Sequence, residues 1–287
     1  MNNIMYEIVL SIVLIIFIIY GKKYYDRIDY INAFKNENIH LEEHFFKSID
    51  ILNYSSKRKL WVHIPSGSDT DNYILLCIKS IIDHCGQDYN VVLFNDADLG
   101  KLLTTDNSMD NLTHTNRSIL LLALLYDYGG VLMPRHTYLS SSFKPLDSSN
   151  KFYVSKIYNQ RKSVSMSDYI YSTDMMGSNK NNPILLDYIN KIKKETNLVF
   201  NDELLKTMDI PFIDPKLIGC QDVNDNKITL EDLMMDKHIE LVSNSVGILI
   251  PHDEILKRHK YNWFYELNSE DVLTTHIFLS KYMMINK

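Results

Sequence analysis

An α/β fold built on a mostly parallel sheet, behind an apolar N-terminal segment, is the class this sequence predicts. Three observations predict it. Short β-rich runs alternate with stretches of helical periodicity from residue 60 onward. The first runs end in clusters of Pro, Ser, Asn and Asp, the chemistry of strand ends and turns. The 287 residues are 45% hydrophobic and 23% charged, enough to bury a sizeable core. With 30 Lys plus Arg against 36 Asp plus Glu, the net charge of −6 excludes a general nucleic-acid-binding surface. Cys77, Cys85 and Cys220 make neither a disulfide framework nor a zinc spacing, and are expected to be reduced and buried.

The first element is the apolar one. Between Ile4 and Tyr20 the only charged side chain is Glu7, and as a helix this stretch is about 25 Å long. Tyr6, Tyr20, Tyr24 and Tyr25, with snorkelling Lys22 and Lys23, would extend it to the ~30 Å of a hydrocarbon core. Residues 1–21 are therefore expected to be a single membrane anchor, meeting the membrane through residues 4–20. Lys22, Lys23 and Arg27 follow the span and no basic side chain precedes it, so the positive-inside rule places the remainder on the cytoplasmic side. Residues 22–57 read as a stalk with an amphipathic stretch from Leu41 to Leu52. Within it His40-Leu41-Glu42-Glu43-His44 matches an inverted zinc-protease pattern, but a stalk supplies no third ligand, and a solvated helical face is the favoured reading.

Residues 58–287 form the expected domain. Leu60 to Ile64 is a buried strand stopped at Pro65 and Ser66. Asn72 to His84 carries apolar residues at 74, 75, 78, 81 and 82, the stripe of an amphipathic helix. Asn90 to Phe94 is a second strand, closed by Asn95-Asp96-Ala97-Asp98, with a helix over Asp98–Leu103. Asp96-Ala97-Asp98 reads as a nucleotide-side loop or helix cap in preference to a metal site. Ile119 to Tyr126, apolar on every face, predicts a wholly buried helix. Gly129 and Gly130 suit a left-handed exit from it. Val131-Leu132-Met133 is a short strand that delivers Pro134-Arg135-His136 to its carboxyl end, the edge where open α/β sheets bind ligands. Downstream come a strand over Lys151–Ile157, a polar excursion over Tyr158–Met176, and a helix opened by Asn182-Pro183 and running through Lys194. A late strand is expected within residues 238–250 and a last helix over Ser269–Met283.

The succession Leu60-Trp61-Val62-His63-Ile64-Pro65, Asn90 to Asp96, and Leu124-Leu125-Tyr126-Asp127-Tyr128-Gly129-Gly130-Val131 resembles the family 32 and capsular-polysaccharide type glycosyltransferases. The likeness is good over residues 59–145 and looser over 150–195. It implies the sugar-nucleotide-binding GT-A fold, with transfer of a sugar from a nucleotide donor to a glycan or protein acceptor. Trp61 to Pro65 and His259 to Phe264 also resemble membrane-anchored proteins of large DNA viruses. In the family, a D-x-D motif beyond the glycine pair holds a divalent metal against the donor diphosphate. Counted from Gly130, those carboxylate positions fall on Pro134 and His136, so neither Mn²⁺ nor Mg²⁺ is expected.

Two readings stay open. In the first, transfer proceeds without metal: Arg135, with His136 if protonated, receives the diphosphate, and His136 is the candidate general base. His63, Pro65, Ser66, Asn95, Asp96, Gly129 and Gly130 are then the candidate donor-binding residues, although His63 also reads as a core histidine of its strand. In the second, the chain is a catalytically inactive glycosyltransferase-fold binding or structural protein of a membrane or virion.

Overall fold

Alternation within the strands decides the layering. In β1 (Arg58–His63) Leu60, Trp61 and Val62 are all fully buried, Leu60 and Val62 in one hydrophobic cluster and Trp61 in another. Successive side chains of a strand point to opposite faces, so a strand apolar at every position needs cover on both. The computed structural model, which describes residues 2–36, 41–47, 57–65, 72–103, 113–148, 151–159, 168–194 and 202–286, supplies that cover.

The other strands are β2 (Tyr89–Phe94), β3 (Gly130–Leu132), β4 (Thr137–Leu139), β5 (Tyr153–Tyr158), β6 (Tyr169–Ser178), β7 (Phe212–Ile213) and β8 (Gly247–Leu249). The main sheet has the order β2-β1-β3-β6-β5-β7, and only β6 runs against its neighbours. A second, two-stranded sheet pairs β4 with β8 antiparallel. The helices are α1 (Asn2–Asn36), α2 (Tyr73–Cys85), α3 (Asp96–Leu102), α4 (His114–Tyr128), α5 (Pro183–Lys194), α6 (Asp202–Thr207), α7 (Leu230–Leu233), α8 (His252–Lys257), α9 (Trp263–Glu266), α10 (Ser269–Thr274) and α11 (Phe278–Ile285). Helix α2 joins the Leu60/Val62 cluster, while α4 and α5 join the Trp61 cluster through Leu122, Leu124, Leu125, Leu185 and Tyr188.

Caps place several boundaries. The Asn72 side chain accepts from the Ile74 amide at the start of α2. Asn95 and Asp98 form a reciprocal capping box, which starts α3 at Asp96, two residues before the expected Asp98.

Other expectations are corrected. Helix α4 is not wholly buried: Leu122, Leu124 and Leu125 are, but Ile119, Leu120 and Leu121 are half-buried, because the helix covers one sheet face and leaves a flank open. The polar excursion over Tyr158–Met176 contains β6, a central strand. Its first half is polar because the three-residue β3 pairs only with Met176–Ser178, so the side of β6 beyond that point lacks the β3 neighbour. The expected last helix is two, α10 and α11, broken by extended backbone at Thr275 and Ile277. Within residues 238–250 only Gly247–Leu249 is strand.

The segment read as a stalk is partly integral. Phe45 bridges to Leu93 and the Phe46 amide donates to the Leu93 carbonyl at 2.7 Å, so residues 41–47 lie along the free edge of β2. Helix α1 runs past the expected anchor to Asn36, and Ile31 packs against the core. Among the described residues no helix is long and apolar enough to cross a membrane, so the spanning segment expected over residues 4–20 has no support here. The side chains of residues 4–8 lie outside the described residues; those from Val9 to Tyr20 that are large and apolar are exposed.

Opposite the loops that follow the parallel strands, one carboxylate closes the sheet. Asp147 accepts from Arg58, the first residue of β1, from the Tyr89 hydroxyl at the start of β2 (2.8 Å) and from the Tyr153 hydroxyl at the start of β5 (2.9 Å). Arg58 also donates to the carbonyls of Gly130 (3.1 Å) and Ser178 (3.0 Å). This N-terminal edge is polar, buried and satisfied.

Candidate functional site

At the other edge β1, β2 and β3 end together. The ladder continues past their ends through Ile64 N–H to Phe94 O (2.8 Å) and Met133 N–H to Trp61 O (2.9 Å). Pro134, Arg135 and His136 then turn away from the sheet into β4. From the opposite side, the Ile250 amide donates to the His136 carbonyl (3.1 Å), which brings the segment after β8, with His252, over the same edge. Between them is a cleft of about 660 Å³.

One half of this cleft is neutralised. Arg117 grips Asp96 with two hydrogen bonds of 2.9 Å, and His63 Nε2 lies 2.8 Å from the same carboxylate. Burial pushes the Asp96 carboxyl up, but the hydrogen bonds from His63 and Arg117 outweigh it and hold the group well below the usual carboxylate range. Asp96 is therefore an ionised partner already in use.

The other half is not neutralised. Arg135 is half-buried and has no carboxylate partner among the described residues; its Nη1 is buried without any hydrogen-bond partner. Its Nη2 lies 3.4 Å from His252 Nε2. The His136 and His252 rings stack at 5.4 Å, and the His252 Nδ1 meets the Tyr73 hydroxyl at 2.5 Å. Burial, then the neighbouring His252 and Arg135, push His136 down to about 3; burial and Arg135 push His252 down to about 4. Both are neutral imidazoles at pH 7. A protonated His136 assisting Arg135 is thus not what the cleft offers, and so weak a base is poorly matched to proton abstraction near neutrality.

Of the expected residues, His63, Pro65, Arg135 and His136 line the cleft and Asp96 is joined to it through His63. Ser66 lies outside the described residues. Asn95 is occupied as a helix cap. Gly129 and Gly130 lie at the start of β3, on the far edge, where they serve packing. Gly130 has φ of 111°, and a Cβ there would sit 2.5 Å from the Lys59 carbonyl; the Gly129 carbonyl accepts from Trp61 Nε1 at 2.9 Å. Sequence reasoning missed Arg117, Tyr73 and His252 as parts of the site. The only signal for His252 was its place after a strand, in Pro251-His252-Asp253.

The donor set does not suit a hard dication. Among the described residues no three His, Cys, Asp or Glu side chains converge as metal ligands, Asp98 is held in its capping box, and Asp253 pairs with Lys257 at 2.9 Å. His40, one end of the zinc-protease pattern, lies outside the described residues.

No protein-family model matches this chain, and no curated protein sequence matches it. Solved structures do. The PaToxG glycosyltransferase shares 15% identity over 66% of this chain and 80% of its own, with a TM-score of 0.34. The apo form of the glycosyltransferase GlyE from Streptococcus pneumoniae TIGR4 shares 12% over 56% of this chain and 46% of its own, TM-score 0.36. A glycosyltransferase involved in glycosylation of the major capsid of PBCV-1 shares 9% over 58% and 86%, TM-score 0.36.

Proposed function

We propose that this chain binds the diphosphate of a nucleotide-sugar in the cleft, on Arg135 and without a divalent metal, and transfers the sugar to a glycan or protein acceptor. The observation that carries the reading is Arg135 itself. A guanidinium that among the described residues has no carboxylate beside it and one buried, unpaired nitrogen, at the C-terminal edge of a parallel sheet, lacks an anionic partner that a diphosphate supplies bidentately. The resemblance of Leu124 to Val131 and of the strand runs to family 32 glycosyltransferases gives the donor its class.

The weak basicity of His136 and His252 favours a second reading, in which the cleft binds the donor without catalysing transfer. One experiment separates the two: titration of the full chain with UDP- and GDP-sugars, with and without Mn²⁺, followed by assay of nucleoside diphosphate release. Metal-independent binding lost in Arg135→Ala, with release, supports the transferase. The same binding without release supports the binding module, and no binding of any donor sinks both.

Membrane contact through residues 4–20, with the domain on the cytoplasmic side, belongs to the same proposal. Its support is the exposed apolar length of α1 from Val9 to Tyr20. Co-flotation of the full chain with vesicles, lost on truncating residues 1–21, tests it.

A further inference from the structure

The geometry points to His252 as a second direct ligand of the anion, an N–H donor beside Arg135 whose tautomer is set by the buried hydroxyl of Tyr73. This rests on the reading of the cleft as an anion site and adds a residue that the sequence pattern did not suggest. Tyr73 is fully buried, and among the described residues its hydroxyl meets only His252 Nδ1, at 2.5 Å. Burial, with Cys77 next to it, holds the phenol well above its ordinary range, so it keeps its proton. That proton has one acceptor to go to. The hydroxyl donates, Nδ1 accepts, and the single N–H of the neutral imidazole is left on Nε2.

Nε2–H then faces Arg135 Nη2 at 3.4 Å, and a guanidinium can only donate. Two donors confront each other, and among the described residues the neighbouring Nη1 of the same guanidinium is buried and unpaired. The opposite tautomer would give Arg135 a long contact at the expense of stranding the Tyr73 proton in a fully buried site, which is the poorer arrangement. An anionic oxygen seated between Nη2 and Nε2 satisfies every group at once. The nearby acids are already engaged: Asp253 with Lys257 at 2.9 Å and Glu254 with Arg258 at 3.0 Å. The ring is also held in place, stacked on His136 and packed at 5.6 Å from Tyr265, as an N–H aimed at one point requires. Tyr73 is accordingly a positioning residue and His252 the ligand.

The test uses the full chain, inorganic pyrophosphate as probe, and nitrogen-15 NMR of the histidine rings. Without ligand, His252 is expected to show an unprotonated Nδ1 and a protonated Nε2; a protonated Nδ1 overturns the proposal whatever the binding data. In calorimetry His252→Phe, which retains a ring in the stack, is expected to weaken pyrophosphate roughly tenfold. Tyr73→Phe is expected to weaken it by a smaller factor while moving the His252 proton toward Nδ1, a change that a purely structural role would not produce. Wild-type affinity in His252→Phe alongside loss in Arg135→Ala overturns the inference and leaves the proposed function standing. Binding of nucleotide-sugars but not of pyrophosphate does the same. Failure of every ligand removes both.

Discussion

The two edges of one sheet were built to opposite specifications. At the N-terminal edge, a single carboxylate, Asp147, receives the first residues of β1, β2 and β5, and Arg58 adds the carbonyls at the start of β3 and the end of β6. At the C-terminal edge, among the described residues Arg135 has no carboxylate partner, one of its nitrogens is an orphan, and the two histidines beside it are neutral. Both edges are cut from the same strands. Closure of the first holds the strands in register, and incompleteness of the second leaves unmet hydrogen-bonding capacity for a ligand. Buried polar groups are normally satisfied, so the orphaned Arg135 nitrogen sets this edge apart from the closed one.

The largest expected effect tests the closed edge. Asp147→Ala leaves Arg58 and two buried tyrosyl hydroxyls without their acceptor, and breaking such a buried pair costs about 3–5 kcal/mol. Urea denaturation should show it; a loss below about 1 kcal/mol would mean that Asp147 does not close the sheet. Next, Gly130→Ala forces a Cβ to 2.5 Å from the Lys59 carbonyl at a positive φ and should cost about 3 kcal/mol in the same measurement. If it is neutral, the glycine pair is not there for packing, and its donor-binding role regains interest.

A third expectation concerns pH and belongs to the open edge. His136 and His252 titrate at about 3 and about 4 in the folded chain, below the ordinary value of 6.5. Between those values and 6.5 the unfolded chain takes up protons that the folded chain refuses, so stability declines as pH falls through that window and is flat above it. Between pH 7 and pH 5 the decline should be about 2 kcal/mol, allowing for partial exposure. Asp96 works in the same sense in a more acidic window: its depressed carboxyl contributes stability that is lost only in stronger acid. An unchanged free energy of unfolding between pH 5 and 7 would contradict the burial of the histidine pair.

The smallest effect has the most unusual sign. Arg135→Met removes a buried donor without a partner, so the variant should be more stable than wild type by about 1 kcal/mol while losing donor binding. Destabilisation instead would show that Arg135 serves the fold and would erase the contrast between the edges.

Local chemistry was the readable part of this chain. The runs at Leu60 and Asn90 are apolar enough to name themselves as strands, and Asn182-Pro183 opens α5 where the capping rules say it should. Asp98 could be read as a cap because the box with Asn95 spans three residues. By contrast β6 was misread, since its polar half reflects the shortness of β3, a residue set far away in the chain. Arg117 was visible as a charge, but nothing local tied it to Asp96.

Taken by itself, the sequence determined that an α/β sheet would form and that Arg135 and His136 would emerge at the carboxyl end of a short strand within it. Those features depend on periodicity and on neighbours a few residues apart. Tertiary structure alone decided that Tyr73 would meet His252, 179 positions away, that Asp147 would gather three strand starts, and that the glycine pair would lie at the edge away from the cleft. A hydrogen bond between distant residues is specified by the packing of everything between them, and no short-range pattern records it.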